Sequence, residues 1–156
     1  MTAIPTRPRT SDERRRAALE MLRTHHQLWL TTGGTTRGAH LIPVAFVWNG
    51  DHITMATFAR SRTIDNLREH PKARVAIGRT DDVVMIDGTV ALVEVPDIDP
   101  AAADRFAAVS HDPRAMPGFV YLRLTPTRIQ VWNGFHEYAG RTVMSEGGWL
   151  ASASTS

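Results

Sequence analysis

The chain has 156 residues, of which 42% are apolar, and this length suits one domain with one core. It has no cysteine, which excludes disulfides, iron–sulfur clusters, thiolate zinc sites and a cysteine nucleophile. The formal charge is only +2, and no basic groove with interleaved aromatic residues argues for nucleic-acid binding.

The sequence predicts a single domain between two short tails. Residues 1–10, with two prolines and no periodicity, are expected to be a disordered tail, and the small polar residues 151–156 a flexible one. No stretch approaches the roughly 20 consecutive apolar residues of a membrane span. The arginine-rich N-terminus also lacks the apolar run of a signal peptide. We therefore expect a soluble cytoplasmic protein with one domain over residues 11–150.

The first half of the domain predicts a helix followed by a β-meander. Ser11 is a candidate N-cap for a helix that ends near His25. Three β-prone segments follow, over residues 27–32, 39–48 and 52–57, separated by turns at 33–38 and at 49–51. Pro43 lacks a backbone donor, so its strand should lie at an edge, at a bulge or where it leaves its neighbour.

The second half predicts a barrel. A helix over Ser61–His70, capped by Ser61 or Thr63, is followed by strands over 72–78 and 83–95, the second with a bulge or bend at Gly88. Asp99–Pro100 should start a third helix. Two last strands, over 118–124 and 127–132, should be joined by a tight turn at Thr125–Pro126. About seven strands and three helices, mostly with hairpin connections, indicate a mainly β, closed or partly closed antiparallel barrel.

Classical catalytic motifs are missing. The segment 33–38 is neither a dinucleotide-binding fingerprint nor a P-loop, so it is interpreted as a hairpin turn. His25 and His26 point in different directions on a helix, which argues against a zinc site. Ser110, His111 and Asp112 are sequence neighbours and cannot line up as a catalytic triad, so they are interpreted as a helix end.

The segment 57–67 is the strongest candidate site. A strand end there delivers two arginines and two hydroxyl groups to the start of a short helix. Helix N-termini present unpaired N–H groups and positive potential, so this combination suits a phosphate group. The alternative is a capped surface helix with solvated arginines.

The run from Ser61 to Pro71 resembles the corresponding helix of the pyridoxamine-phosphate-oxidase-like family. The surrounding order is also similar, with "LWLTT" and "HLIPVAFVWNGDHITMAT" before this helix and "ARVAIG", "VVMIDGTVALVEV" and "LRLTPTRIQVW" after it. The resemblance covers roughly residues 27–150 and rests on order and spacing. It implies a split β-barrel of the FMN-binding kind that forms a homodimer and holds FMN or the deazaflavin coenzyme F-420 at the dimer interface.

The resemblance implies a phosphate site at the helix start. Ser61 and Arg62 are similar to phosphate ligands, Arg60 supplies a second cation, and Asn66 would support the helix start. Thr63 stands where the family usually has a lysine. Threonine can hydrogen-bond a phosphate but adds no charge, which weakens the expected affinity for the cofactor.

The resemblance also implies a place for the ring system. Pro43 and Val44 are similar to the strand backbone that faces the ring, and Thr57 would lie near the ribityl chain. Trp132 would approach the ring from the partner subunit. The segment 137–144 is similar to the C-terminal part of some actinobacterial members, where it covers the cofactor pocket, although a plain structural role is an equal alternative.

These features lead to the hypothesis of an oxidoreductase that passes a hydride between a flavin-type cofactor and a small organic substrate. The cofactor carries such chemistry, so no acid–base constellation is required. The arginine-rich, lysine-poor composition resembles actinobacterial deazaflavin users and favours F-420, with FMN as the alternative. Two other hypotheses stay open: a non-catalytic flavin, deazaflavin or haem binding protein, with His40 and His111 as candidate haem ligands, and a cofactor-free dimeric barrel.

Overall fold

The computed structural model describes residues 7–151, so residues 1–6 and 152–156, which belong to the two predicted tails, lie outside the described residues. The helices are α1 (Ser11–Thr24), α2 (Arg62–Glu69) and α3 (Pro100–Val109), and short 3-10 turns cover Val95–Asp97 and Phe135–Glu137. The strands are β1 (Gln27–Thr32), β2 (His40–Ala45), β3 (Val47–Trp48), β4 (Ile53–Phe58), β5 (Lys72–Arg79), β6 (Asp82–Val93), β7 (Phe119–Trp132), β8 (Thr142–Ser145) and β9 (Gly148–Trp149).

All strands belong to one antiparallel sheet. Its order is β2-β1-β5-β6-β7-β4-β3, with β8 paired to β7 and β9 paired to β8. The sheet curls so that its edge strand β2 approaches β4. The predicted mainly β split-barrel class is therefore confirmed. No helix within residues 7–151 is long and apolar enough to cross a membrane.

Local capping explains where the helices begin. Of the two candidate caps of α2, Ser61 is the cap and Thr63 lies inside the helix, and the predicted start of α3 at Asp99–Pro100 is confirmed; the Ser61 and Asp99 side chains each accept a backbone N–H of the first turn. For α1 the prediction of Ser11 is wrong by one residue. Thr10 is the cap, because its hydroxyl accepts the Glu13 N–H while the Glu13 carboxylate accepts the Thr10 N–H.

The predicted bulge at Gly88 is confirmed. Asp87 pairs with Arg128 but Gly88 pairs with Pro126, so β7 carries one extra residue at this point. A Cβ at Gly88 would lie 2.5 Å from the Thr125 carbonyl oxygen, so only glycine permits this approach.

The predicted turn at Thr125–Pro126 is wrong, because β7 continues without interruption over Phe119–Trp132. The long strand β6 pairs along most of β7 and holds it extended. The bulge gives Pro126, which has no N–H group, a place in the ladder. Long-range pairing therefore overrides the local turn signal.

Two further differences concern short strands. The predicted strand over 39–48 is divided into β2 and β3 by the buried Phe46, whose N–H donates to the His26 carbonyl oxygen at 3.0 Å. The C-terminal part forms the hairpin of β8 and β9, which was not predicted as strands. The strand count within residues 7–151 is accordingly nine and not seven.

The main core lies inside the curled sheet and is closed by α1 and α2. Leu22 of α1 and Ile64 and Leu67 of α2 are buried against the inward residues of the strands. A smaller apolar cluster fills the space between α3 and the opposite face of the sheet, with Phe106 and Tyr121 as its largest members. The sheet is thus packed on both faces near β4 and β7.

Candidate functional site

The start of α2 is held in a fixed position behind β4. The N–H of Ala59 donates to the Gly118 carbonyl oxygen at 2.8 Å, which ties the connecting turn to the start of β7. The Ser61 hydroxyl accepts the Ile64 N–H at 3.3 Å. The N–H groups of Arg62 and Thr63 belong to the first turn and have no acceptor within the helix. This end of α2 therefore presents two free donors and the positive end of the helix dipole.

Two guanidinium groups flank this helix start. Arg60 is exposed and makes no side-chain hydrogen bond within the described part of the chain. Arg62 is exposed too, and one of its N–H groups donates to the Arg37 carbonyl oxygen in the loop between β1 and β2. A guanidinium has five N–H donors, so this single contact leaves Arg62 able to bind an anion.

Two buried polar atoms lie on the inner side of α2 without partners in the described structure. Thr63 is 1% exposed and its hydroxyl has no hydrogen bond. Asn66 is fully buried; its Nδ2 donates to the Thr32 hydroxyl at 3.2 Å, while its Oδ1 has no partner. Asn66 therefore contacts β1 and not the helix start. Unpaired buried polar atoms are uncommon in native proteins.

The donor set at this helix start fits a phosphate group. It comprises two free N–H groups and two guanidinium groups at Arg60 and Arg62, whereas the unpaired hydroxyl of Thr63 is buried on the inner side of α2. Thr57 lies in the same strand-turn-helix unit and is half-buried. Six of the nine predicted site residues thus lie in this strand-turn-helix unit, namely Thr57, Arg60, Ser61, Arg62, Thr63 and Asn66, but the side chains of Thr63 and Asn66 are buried on the inner side of α2.

The other three predicted residues lie elsewhere on the sheet. Pro43 is exposed on the edge strand β2, opposite Trp29, whereas Val44 alternates to the inner face and packs partly on the core. Trp132 is at the far end of β7, twelve residues beyond Val120, the pairing partner of Thr57. At about 3.3 Å per residue, this is roughly 40 Å along an extended strand. One chain therefore does not bring Trp132 to the α2 helix start.

A large cavity lies away from the predicted residues. It has a volume of about 1060 Å³ and is bounded by the β1–β2 loop, the C-terminal end of α2, and strands β5 and β6. Lys72, Arg74 and Asp87 line it, together with several threonines. Sequence reasoning missed this cavity because its residues come from segments that are far apart in the chain. The one local feature of the cavity in the sequence, the glycine-rich loop 33–38, was predicted to be a hairpin turn. That prediction is correct, since the loop connects the antiparallel strands β1 and β2.

Comparison with known proteins adds to this geometry. Residues 15–133 match the sequence family described as pyridoxamine 5'-phosphate oxidase. The chain belongs to this family. The predicted resemblance is thereby confirmed. A search of curated proteins found no match.

Solved structures similar to this pyridoxamine 5'-phosphate oxidase family member share its fold. An F420 reductase has 15% identity and a TM-score of 0.58, over 70% of this chain and 93% of its own. The haem storage protein HutZ from Vibrio cholerae has 13% identity and a TM-score of 0.65, over 86% and 99%. A pyridoxamine 5'-phosphate oxidase-related, FMN-binding protein from Nostoc punctiforme has 16% identity and a TM-score of 0.55, over 78% of each chain.

Proposed function

We propose that this family member is an oxidoreductase that passes a hydride between a flavin-type cofactor and a small organic substrate. The observation that carries the proposal is the start of α2, where free N–H groups and two arginines form a site suited to the phosphate of such a cofactor. The cofactor, when bound, supplies the hydride chemistry. The chain supplies binding, orientation and exclusion of water, so no catalytic acid or base is assigned.

In this proposal each residue has a stated role. Arg60, Arg62 and the backbone N–H groups of Arg62 and Thr63 hold the phosphate, while Ser61 orders the helix start by capping it. The ribityl chain runs past Thr57. The ring lies against the backbone of Pro43 and Val44, at the edge strand whose Pro43 cannot donate a ladder hydrogen bond.

Coenzyme F-420 and FMN are the two candidate cofactors. The fold is shared with an F420 reductase and with an FMN-binding protein. Both cofactors carry a phosphate group, so the α2 helix start suits either. The arginine-rich, lysine-poor composition favours coenzyme F-420, with FMN as the alternative.

A homodimer completes the proposed site. The outer face of β1 and β2 leaves Trp29 50% exposed and Leu41 58% exposed, beside Pro43. An apolar patch of this kind on a sheet face is typical of an interface. Because Trp132 lies far from the α2 helix start within one chain, Trp132 of the partner subunit would have to supply the contact with the ring.

Haem binding is a second candidate because of His111. Its Nε2 is buried without a partner in the described structure, and its ring packs on Phe119 with 4.4 Å between centroids. Because this nitrogen is buried, a haem iron could reach it as an axial ligand only if the surrounding side chains moved. HutZ, a haem storage protein, shares the fold. His40, the other candidate, is half-buried at the start of β2.

Titration of the purified protein with F-420, FMN and haem tests the proposal. We expect saturable binding of one flavin-type cofactor, and Arg62→Ala should weaken it by about 1.5 to 3 kcal/mol, the scale of a charge-assisted hydrogen bond. Arg79→Ala is the matched control, since Arg79 is exposed at the end of β5 and its one ion pair within residues 7–151 is with Asp81. Equal affinity in Arg62→Ala would remove the phosphate assignment.

Turnover separates the remaining hypotheses. Oxidation of the bound, reduced cofactor by an added organic acceptor supports the oxidoreductase. Binding without oxidation by any acceptor would instead favour a storage role. A Soret band that shifts in His111→Ala would favour haem, and a colourless protein that binds no cofactor would indicate a cofactor-free barrel.

A further inference from the structure

The cavity of about 1060 Å³ has the properties of a second ligand site. Its volume is at the upper end of the usual range for ligand pockets. None of the residues proposed to hold the flavin-type cofactor lines it. It is separated from the α2 helix start by the β1–β2 loop, whose Arg37 contacts Arg62 on one side and Glu69 on the other.

The cavity lining is mostly apolar, and its polar part consists of threonine hydroxyl groups and close backbone. Five threonines contribute: Thr31, Thr32, Thr35, Thr89 and Thr127. At Gly34 a Cβ would lie 2.9 Å from the Glu69 carboxylate, so a side chain at that position would crowd the rim. Hydroxyl groups both donate and accept hydrogen bonds, so this lining suits a ligand with several hydroxyl groups.

The charges around the cavity leave one cation uncompensated. The Glu69 carboxylate pairs with Arg37 at 3.2 Å and also accepts the Thr35 hydroxyl at 3.0 Å. The Asp87 carboxylate pairs with Arg74. Lys72 makes no side-chain ion pair or hydrogen bond within residues 7–151, and it is the only lysine of the chain. An anionic group on the ligand would therefore lie next to the Lys72 ammonium.

A buried polar pair behind the wall is incompletely bonded. Thr32 is 3% exposed, lines the cavity and accepts a hydrogen bond from Asn66. The proton of the Thr32 hydroxyl is thus free to donate, and Asn66 Oδ1 has no partner in the described structure. Because Thr32 lines the cavity, an acceptor there would satisfy its free proton, whereas Asn66 is fully buried and does not line the cavity.

We infer that this cavity binds a small anion that also carries several hydroxyl groups, of the kind found in sugar phosphates and sugar acids. Lys72 faces the anionic group, and the threonine hydroxyls bind the hydroxylated body. The inference does not depend on the proposed oxidoreductase activity.

The single lysine allows a direct test. Reductive methylation with ¹³C-formaldehyde keeps the positive charge and gives one lysine signal, from Lys72, beside the signal of the terminal amine. Ribose 5-phosphate and gluconate are titrated while this signal is followed, with ribose and inorganic phosphate as the partial probes. Calorimetry on the unmodified protein gives the affinities.

We expect a saturable shift of the Lys72 signal with ribose 5-phosphate, gluconate or both, and binding at least about tenfold weaker for ribose and for phosphate. A response to ribose 5-phosphate alone would identify the anionic group as a phosphate ester, and a response to gluconate alone would identify it as a carboxylate. Lys72→Gln should weaken binding by about tenfold or more, while Arg79→Gln, on the same strand but outside the cavity, should bind as the parent protein does.

Three results would overturn the inference. One is a Lys72 signal that does not shift with any probe up to about 10 mM. This result would overturn the inference even if the cause were a second copy of the chain that covers the cavity. Another is phosphate binding as tight as that of ribose 5-phosphate. The third is binding lost in Arg62→Ala but kept in Lys72→Gln, which would place the anion at the α2 helix start. Cofactor titration of Arg62→Ala tests the proposed function separately.

Discussion

Replacing Glu137 by glutamine tests the ion cluster that ties the N-terminal segment to the C-terminal part. Glu137 is fully buried, and its carboxylate accepts the Arg9 side chain at 2.7 Å, the Arg9 N–H at 2.7 Å and the Asn133 N–H at 3.0 Å. The guanidinium of Arg14, itself 4% exposed, lies 3.7 Å away. Glutamine keeps the shape of the side chain but removes the charge that faces both arginines.

The lowered pKa of Glu137 sets the size of the expected change in the free energy of unfolding. Burial alone would raise this pKa, but the hydrogen bonds from the Arg9 side chain and backbone outweigh burial and lower it from 4.5 to about 2. At about 1.4 kcal/mol per unit, the ionised carboxylate contributes roughly 3 kcal/mol to the free energy of unfolding. A lowered pKa stabilises the protein above the unfolded value of 4.5, and this contribution is lost as the pH falls toward 2.

Urea unfolding of the parent protein and of Glu137→Gln at pH 7 and between pH 4.5 and 2 measures this contribution. At pH 7 the variant should be less stable by about 3 kcal/mol, because two guanidinium groups lose their partner. The difference should shrink steadily below pH 4.5. Glu20→Gln, an exposed carboxylate on α1, controls for the change in net charge. A constant difference across this pH range would refute the reasoning.

Three further predictions concern other parts of the molecule. Gly88→Ala should destabilise the barrel by about 2 to 3 kcal/mol, as measured by urea unfolding, because the new Cβ meets the Thr125 carbonyl oxygen at 2.5 Å. Unchanged stability would contradict this close approach between the Gly88 position and the Thr125 carbonyl. Thr63→Val should raise the stability of the cofactor-free protein by about 1 kcal/mol, since it removes an unpaired buried hydroxyl, and should leave cofactor affinity unchanged; a lower stability would contradict the unpaired state of this hydroxyl. Trp29→Lys should shift the protein from dimers to monomers in sedimentation. An unaltered mass would show that the outer face of β1 and β2 is not the dimer interface.

Much of the fold is predictable because its signals are local. The cap at Ser61 and the Asp99–Pro100 helix start depend on hydrogen bonds to residues within one turn, and both predictions are confirmed. Gly88 was recognisable as a bulge because glycine inside a long strand pattern weakens the strand unless the backbone needs it. Thr125–Pro126 misled the prediction, because a local turn preference lost to the pairing of β7 with β6.

The candidate site likewise has features that the sequence predicts and features that only the packing of the chain sets. The chain order alone places Arg60, Ser61, Arg62 and Thr63 together, since a strand end and a helix start are joined by a short turn. The burial of Thr63 and its unpaired hydroxyl depend on how α2 packs on the sheet, and no sequence pattern reveals them.

By itself, the sequence determined the caps of α2 and α3, the bulge, the mainly β barrel and the cluster of arginines at the start of α2. These features depend on neighbours within a few residues. Only the tertiary structure decided that β7 is continuous, that Glu137 joins both ends of the described chain, and that Lys72 lines a large cavity. Each of these results requires residues from distant segments to meet, and their contact energies outweigh local preference only after the sheet has closed.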